Sequence, residues 1–262
     1  MQHLILGDKL HTALNALSIP KFDMIDWQES TESTNNDCKL WAERGAVRAL
    51  SISNHQSAGR GQSNRVWQSP RGNVYLSFLT NLPKPLDGRL ALEVGLALVN
   101  MPILQNLDLS VKWPNDLYAR GAKWGGILIE PIHSHNMEHG AVLGVGINLQ
   151  PMQDYVADRT VTDLTTLLGH ELDHVQLAAA VIQAVQHAID SFVQGCPKLP
   201  ERFLSCDALA NKAIQITRPE QPLLHARAVG IAEDGSLQIS TVGGIEQLYS
   251  GQITVVDERV IQ

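Results

Sequence analysis

Cysteine is scarce in this 262-residue chain, and the three that occur, Cys38, Cys196 and Cys206, form no C-x-x-C spacing. Zinc-ribbon and dithiol-redox patterns are therefore excluded, a complete disulfide framework cannot be built from an odd number, and the three read as buried thiols. No apolar run reaches the roughly 18 residues of a membrane span, and residues 1–17 lack a basic segment followed by an unbroken apolar core. Neither a spanning helix nor a secretory leader is expected, which leaves the cytoplasm as the default. The phosphate-cradling pattern G-x-x-x-x-G-K-[ST], the nucleophile elbow G-x-S-x-G and the zinc motif H-E-x-x-H are all missing. Positive charge is short too. A formal net charge of −7 argues against wholesale nucleic-acid binding, which needs a clustered cationic surface.

What cationic character there is sits locally: five arginines, Arg44, Arg48, Arg60, Arg65 and Arg71, fall close together and predict a site for a small anionic ligand. Patterning around it is mixed. Residues 10–19 predict a short helix stopped by Pro20, and residues 22–27 a strand. A helix begins at Ser33 or Thr34, whose side chains suit an N-cap, and ends near Gly45. Residues 48–56 and 73–80 alternate as strands around a Gly-, Ser- and Asn-rich loop. Leu90, Val94, Ala97 and Met101 recur at helical spacing, with Pro102 expected to end that helix. A hairpin is expected within residues 111–130, another strand over residues 139–150, and a long helix with Leu177, Val181, Val185, Ala188 and Phe192 on one face, closed by Gly195 and Pro197. After residue 207 the texture changes to short strands separated by turns such as Asp234-Gly235 and Gly243-Gly244, the mark of a small β-barrel of about 50 residues.

Three segments carry chemistry. In residues 57–67, SAGRGQSNRVW, Gly59 and Gly61 permit close backbone approach while Arg60 and Arg65 offer forked donors to negative oxygens; a solvated basic loop would look the same. In residues 111–130, VKWPNDLYARGAKWGGILIE, Asn115 and Asp116 bring side-chain oxygens to the turn after Pro114, where Asp116 suits a divalent cation, although Asn-Asp is also common turn chemistry. Lys123 directly precedes Trp124-Gly125-Gly126, so its ammonium can lie over a floor the glycines keep low. In Gly144-Val145-Gly146-Ile147-Asn148 the alternating glycines clear one strand face, for a flat ligand or for tight packing. The dinucleotide fingerprint is rejected there because its third glycine and following helix are missing. His133, His135 and His139 read as a solvated hairpin tip rather than a zinc site.

Together these segments resemble the biotin protein ligases. The likeness rests on Ser33-Thr34-Asn35, the run QSAGRG from Gln56, Arg65-x-Trp67-x-Ser69-Pro70, GNVYLS from Gly72, VKWPND from Val111, KWGGILIE from Lys123 and GVGINL from Gly144. It implies ATP-dependent activation of biotin to biotinyl-5′-AMP, then transfer to a lysine of the biotin carboxyl carrier protein of acetyl-CoA carboxylase. ATP, Mg²⁺ and biotin are the implied small molecules. By resemblance Lys123, Arg60 and Arg65 are catalytic, and Ser33, Thr34, Asn35, Gln56, Gly59, Arg60, Lys123, Gly125, Gly126, Gly144 and Gly146 bind biotin. Arg65, Trp67, Asn73, Lys112, Asn115, Asp116 and Asn148 bind ATP, with Asp116 at the metal.

The implied fold is α+β: a mixed β-sheet flanked by helices over residues 1–206, and an SH3-like β-barrel over residues 207–262. This sequence departs from relatives that carry a basic residue after the second loop glycine, since Gln62 stands here; retention of the adenylate then leans on Arg65 and Lys123. Some relatives stack an aromatic on adenine after the GIN strand, but no Phe, Trp or Tyr occurs over residues 156–191. About 25 residues precede the first core strand, too few for the winged helix-turn-helix of the repressor-type relatives, so no specific DNA binding is expected. The rivals are a lipoate or octanoate ligase or transferase, a repressor and an inactive biotin-binding module. The sequence leaves the oligomeric state open; a homodimer paired along residues 73–80 is one arrangement, provided that strand is an exposed edge.

Overall fold

Period-two alternation of apolar residues builds a sheet with two different faces, and the computed structural model, which describes residues 2–17, 19–151 and 160–257, shows what covers each. Seven strands form it: β1 (Met24–Gln28), β2 (Ala49–Ser53), β3 (Val74–Asn81), β4 (Leu109–Lys112), β5 (Asp116–Ala119), β6 (Ala122–Ser134) and β7 (Met137–Ile147), in the order β1-β2-β3-β7-β6-β5-β4. Only β1 and β2 pair in parallel; every other neighbour is antiparallel. In β2, Ala49 joins one hydrophobic cluster and Leu50 the other; in β7, Val142 and Leu143 divide the same way.

The larger cluster lies under α1 (Gln2–Ala16), α3 (Arg89–Val99) and α5 (His174–Val193). α5 is the helix its periodicity predicts: Leu177, Val181, Val185, Ala188 and Phe192 are all buried. The Asp173 carboxylate caps it by accepting from the Gln176 N–H at 2.9 Å, and Gly195 follows its end at φ +93°. α3 stops at Val99, and Pro102 opens a separate 3₁₀ turn, as its missing N–H requires. α1 differs from expectation. It starts at Gln2 and ends at Ala16, because the apolar stripe that buries Leu10 and Leu14 extends back to Leu6, whereas Leu17 and Ile19 fall outside the helix.

The opposite face is covered at one end by α2 (Thr34–Glu43), which packs Cys38, Trp41 and Ala42 on Ala49, Leu79 and Val142. Ser33 occupies the N-cap position without making a side-chain cap bond. The rest of that face stays open and forms the cleft described below. All three cysteines are free and buried, and burial pushes the Cys38 thiol up to about 12.

Two expectations about the sheet are corrected. β3 is not an edge: β2 and β7 flank it, so no second copy can pair there. The hairpin of residues 111–130 is a three-stranded meander, with one reversal at residues 113–115, where the Trp113–Pro114 bond is cis, and another at Arg120-Gly121. The positive φ of Gly121, +80°, makes the second, tighter turn that the apolar runs alone conceal. The histidine segment is the β6–β7 hairpin tip, with His133 and His135 exposed.

After the short helices α4 (Leu164–Leu168) and α6 (Leu199–Leu204), the chain forms a second, antiparallel sheet. Its strands are β8 (Ala213–Thr217), β9 (Leu224–Ile231), β10 (Leu237–Thr241), β11 (Gly244–Leu248) and β12 (Gln252–Val255), ordered β11-β10-β9-β8-β12. This is the small SH3-like unit expected from the short strands and turns. It docks on the turn between β4 and β5, where Trp113 Nε1 donates to the Gly235 carbonyl at 3.0 Å. Among the described residues no helix is long and apolar enough to cross a membrane.

Candidate active site

Strand periodicity decides which side chains reach the open face. Tyr75 and Ser77 of β3, Gly144 and Gly146 of β7, and Gly126, Leu128 and Glu130 of β6 follow one another at i, i+2 on that side, with Ser77 opposite Gly144 and Gly126 opposite Gly146. Lys123 lies three residues before Gly126 and would face away from it in a regular strand. A register shift corrects this: Gly125 pairs with Leu117 and Lys123 with Tyr118, so Trp124 is the extra residue. Such a bulge re-aims a side chain. A Cβ on Gly126 would lie 3.3 Å from the Lys123 ammonium and 3.2 Å from the Trp67 ring. The ammonium therefore hangs over the glycine floor, as the sequence predicts.

The result is a cleft of about 320 Å³ between this floor and the loop of residues 57–67. One end is polar and buried. The Thr34 N–H and hydroxyl donate to Gln56 Oε1 at 3.0 and 3.2 Å, and Gln56 Nε2 donates to Ser69 Oγ at 3.0 Å. The Ser77 hydroxyl lies 2.7 Å from Thr34 Oγ1 and 2.5 Å from Asn35 Oδ1, donating to one at a time. Ser33, Thr34, Asn35 and Gln56 all line the cleft here. Gly144 leaves space for the Asn35 amide, which a Cβ would strike.

The other end is cationic. The Lys123 ammonium pairs with Asp116 and sits 4.9 Å from the centroid of the Trp67 ring, while Arg65 and Asn115 also line the wall. The Trp67 indole lies on the floor, 2.8 Å from where a Gly146 Cβ would be, and its N–H is buried without a partner. A buried donor without a partner is an exception among folded proteins. Arg60 lines the cleft, with its guanidinium 3.2 Å from Glu130 Oε2. The remaining arginines of the cationic stretch do not converge on it: Arg48 is wedged between Phe22 and Phe78, and Arg71 pairs with Glu29.

Five of the residues singled out in the sequence support the cleft without lining it. A Cβ on Gly59 would lie 2.5 Å from Ser69 Oγ and the Trp67 carbonyl, so only glycine lets the loop close on itself. Gly125 faces Leu117 on the far side of the sheet. Asn73 Oδ1 accepts from the N–H groups of Leu149 and Gln150 at 2.8 and 3.0 Å. Asn148 Nδ2 donates to the Thr162 carbonyl at 3.1 Å, which ties residues 160–163 beside Lys123, and the Lys112 ammonium lies 5.3 Å from the Tyr118 ring centroid. Ser77, Tyr75 and Glu130 belong to the cleft's surroundings and were not singled out. Extending the i, i+2 rule from Gly126 along β6 reaches Glu130, whereas Tyr75 and Ser77 lie on β3 opposite Gly146 and Gly144, a pairing that only the folded register supplies. Burial holds the Tyr75 phenol above its ordinary range, so it stays protonated. Among the described residues no group of three His, Cys, Asp or Glu could hold a metal by itself, and Asp116 is the carboxylate on the cleft wall. Of residues 156–191, in which adenine stacking was sought, residues 156–159 lie outside the described residues.

Comparison with known proteins agrees with this geometry. The model of the Biotin/lipoate A/B protein ligase family matches residues 25–148, and that of the Biotin protein ligase C terminal domain matches residues 210–256. The Bifunctional ligase/repressor BirA of Escherichia coli is 29% identical over 211 residues, 78% of this chain; the match spans about two thirds of that relative's length, 65%. The Biotin--[acetyl-CoA-carboxylase] ligase of Mycobacterium tuberculosis is 27% identical over 239 residues, covering 87% of this chain and 88% of the relative. Among solved structures, the biotin protein ligase of Aquifex aeolicus in complex with biotin and ATP superposes with a TM-score of 0.76 at 24% identity, over 90% of this chain and 100% of that one.

Proposed function

This chain belongs to the biotin/lipoate protein ligase family, and from that premise we propose that it is an ATP-dependent biotin protein ligase. It activates biotin as biotinyl-5′-AMP and passes the acyl group to a lysine of the biotin carboxyl carrier protein. One observation carries the choice of biotin within the family: the Thr34, Asn35, Gln56 and Ser77 network makes the inner end of the cleft buried and polar. A cyclic urea presents N–H and C=O groups that can pair with such a network. An alkyl chain has no N–H or C=O to exchange with that network and gains nothing from its polarity.

With the ring held there, the acid tail points along the glycine floor towards Lys123. As the carboxylate attacks the α-phosphorus and pyrophosphate leaves, negative charge grows on the phosphoryl oxygens. A fixed ammonium beside them, in a cleft walled by Trp67, stabilises that charge without reorganising. Arg65 adds a second cation from the loop, and closure of the loop keeps water from the mixed anhydride. Mg²⁺ bound with nucleotide takes few protein carboxylates, and Asp116 beside the cationic end suits that role. When bound, it would neutralise phosphate charge.

Three buried free thiols fit the reducing cytoplasm as its place of work. Specific DNA binding is not part of the function proposed: the net charge is −7, and Arg48 and Arg71 are engaged within the fold. A homodimer joined through the sheet would pair along β1, because the backbone of Val111 in the opposite edge strand β4 already bonds Cys206 and Ala208. The deciding experiment incubates the protein with ATP, Mg²⁺ and either biotin or lipoate and identifies the adenylate by mass spectrometry. Biotinyl-AMP is expected; lipoyl-AMP alone would overturn the assignment.

A further inference from the structure

Glu130 has no part in the chemistry above, yet its carboxylate gathers donors from two separate segments. Lys39 Nζ lies 2.6 Å from Oε1, Asn35 Nδ2 lies 2.7 Å from Oε2, and Arg60 Nη2 lies 3.2 Å from the same Oε2. Lys39 and Asn35 come from α2, whereas Arg60 comes from the loop over the cleft. Partial burial opposes ionisation of Glu130, but the bonds from Lys39 and Asn35 and the charges of Lys39 and Arg60 prevail and hold its carboxyl below the ordinary range.

At the loop's base the Ser57 and Ala58 N–H groups donate to the Thr31 and Glu32 carbonyls, each at 2.9 Å, and beyond that base the loop's own bonds are short-range. Trp67 N–H donates to the Gly59 carbonyl at 2.9 Å, Gly61 N–H donates to the Arg65 carbonyl at 2.7 Å, and Arg65 Nε turns back to the Gln62 carbonyl at 3.3 Å. These make a small hairpin rooted at Gly59 and do not hold it against the sheet. Among the described residues, two side chains of the loop reach across the cleft: Trp67, whose indole rests on Gly126 and Gly146 beside the Lys123 ammonium, and Arg60, whose guanidinium meets Glu130. Glu130 is anchored on β6 and braced by Lys39, so it is the fixed member of that pair.

We propose that Glu130 is the latch of the 57–67 loop, a positioning residue that holds Arg60 across the cleft and thereby keeps the acyl adenylate enclosed until the acceptor lysine arrives. Because Oε2 serves Arg60 and Asn35 together, the loop and the ring-binding end of the cleft are tied to one atom. Retention of the adenylate rests on the ligase reading above, whereas the latch itself does not.

The test uses the full chain and the variants Glu130→Gln, Arg60→Ala and the double variant. Glu130→Gln keeps an acceptor for Asn35 and removes the charge, which guards the fold; the thermal transition is recorded for each protein. First, without ligand, subtilisin cleavage within residues 60–66 is followed by mass spectrometry. Each single variant is expected to be cleaved about threefold to tenfold faster than the parent, and the double variant no faster than the singles, as for one shared interaction. Second, with biotin and ATP, the ratio of free biotinyl-AMP to pyrophosphate formed is expected to rise by a similar factor in Glu130→Gln. A structural role alone would not move that ratio. Parent-like cleavage in Glu130→Gln, or effects that multiply in the double variant, overturns the latch. If the parent forms no adenylate, the ligase reading falls, and the ligand-free cleavage still decides the latch.

Discussion

Replacing Lys123 by methionine removes one positive charge from the cleft and leaves an unbranched apolar stem against Trp67 and Gly126. Two separable losses are expected. The side chains of Lys123 and Asp116 are 9% and 17% exposed, so their ion pair is largely withdrawn from water, and depriving Asp116 of this partner should cost about 2–4 kcal/mol of stability. The second loss is catalytic. A unit charge about 4 Å from the developing phosphoryl charge, at an effective dielectric near 20, contributes about 4 kcal/mol, and removing comparable preorganised donors slows reactions by roughly 10²–10³. Pyrophosphate release from ATP and biotin measures that rate without the carrier protein, and thermal unfolding measures the stability. The variant Lys123→Met/Asp116→Asn separates the two effects, because neutralising the stranded carboxylate should recover most of the melting temperature and none of the rate. Pyrophosphate release by Lys123→Met within about fivefold of the parent would refute the reasoning, since a charge beside the reacting phosphorus cannot be that cheap to lose.

Adding a methyl group at Gly146 places a Cβ 2.8 Å from the Trp67 indole, so Gly146→Ala should lift Trp67 from the floor and weaken biotin binding by about tenfold or more with little change in melting temperature. Calorimetric titration checks this. Gly125→Ala should do the reverse: its Cβ would meet Leu117 Cδ1 and the Gly146 carbonyl at 2.9 Å on the far face, so stability falls by about 1–3 kcal/mol while the affinity of the protein that remains folded is kept. Asp207 supplies a pH test. Burial raises its carboxyl from 3.8 to about 6, although the Leu209 N–H bonds it, and its Oδ2 is buried without a partner. The folded state therefore holds a proton that the unfolded chain gives up near pH 4, and the associated stability is full below that and lost as pH rises through about 6. Asp207→Asn should thus gain in melting temperature relative to the parent from pH 4.5 to 7 and then level off; a difference independent of pH would remove the basis for this.

How far the sequence was legible follows from the range of each interaction. The small C-terminal sheet was readable strand by strand, because turns such as Asp234-Gly235 punctuate alternation over a few residues. α5 was readable from its stripe and its cap. The helix boundaries of α1 were less so, since Leu6, Leu10 and Leu14 mark a face without marking where it begins. β3 looked like a candidate edge because nothing in its eight residues says that β7, more than sixty residues later, returns to its side. The same distance hides Arg60 on Glu130: the two lie 70 positions apart, and an arginine in a glycine-rich loop reads equally as a phosphate contact.

The cleft also shows what glycine spacing announces and what it leaves open. Alternating Gly144 and Gly146 announced a cleared strand face, and that holds. The cleared space, however, is not simply left for a ligand: the Asn35 amide fills it above Gly144 and the Trp67 indole fills it above Gly146. Each glycine lets a polar or aromatic side chain from another segment approach the sheet more closely than any Cβ would allow, and those side chains form the cleft's working surface. Gly125 and Gly126 make the same point within one pair. They look equivalent in sequence, but the bulge at Trp124 and the strand's period of two send one to the core face and the other beneath Lys123. Position relative to the pleat, rather than residue type, separates the glycine that shapes the cleft from the one that packs the fold, and the paired alanine substitutions read out that separation directly.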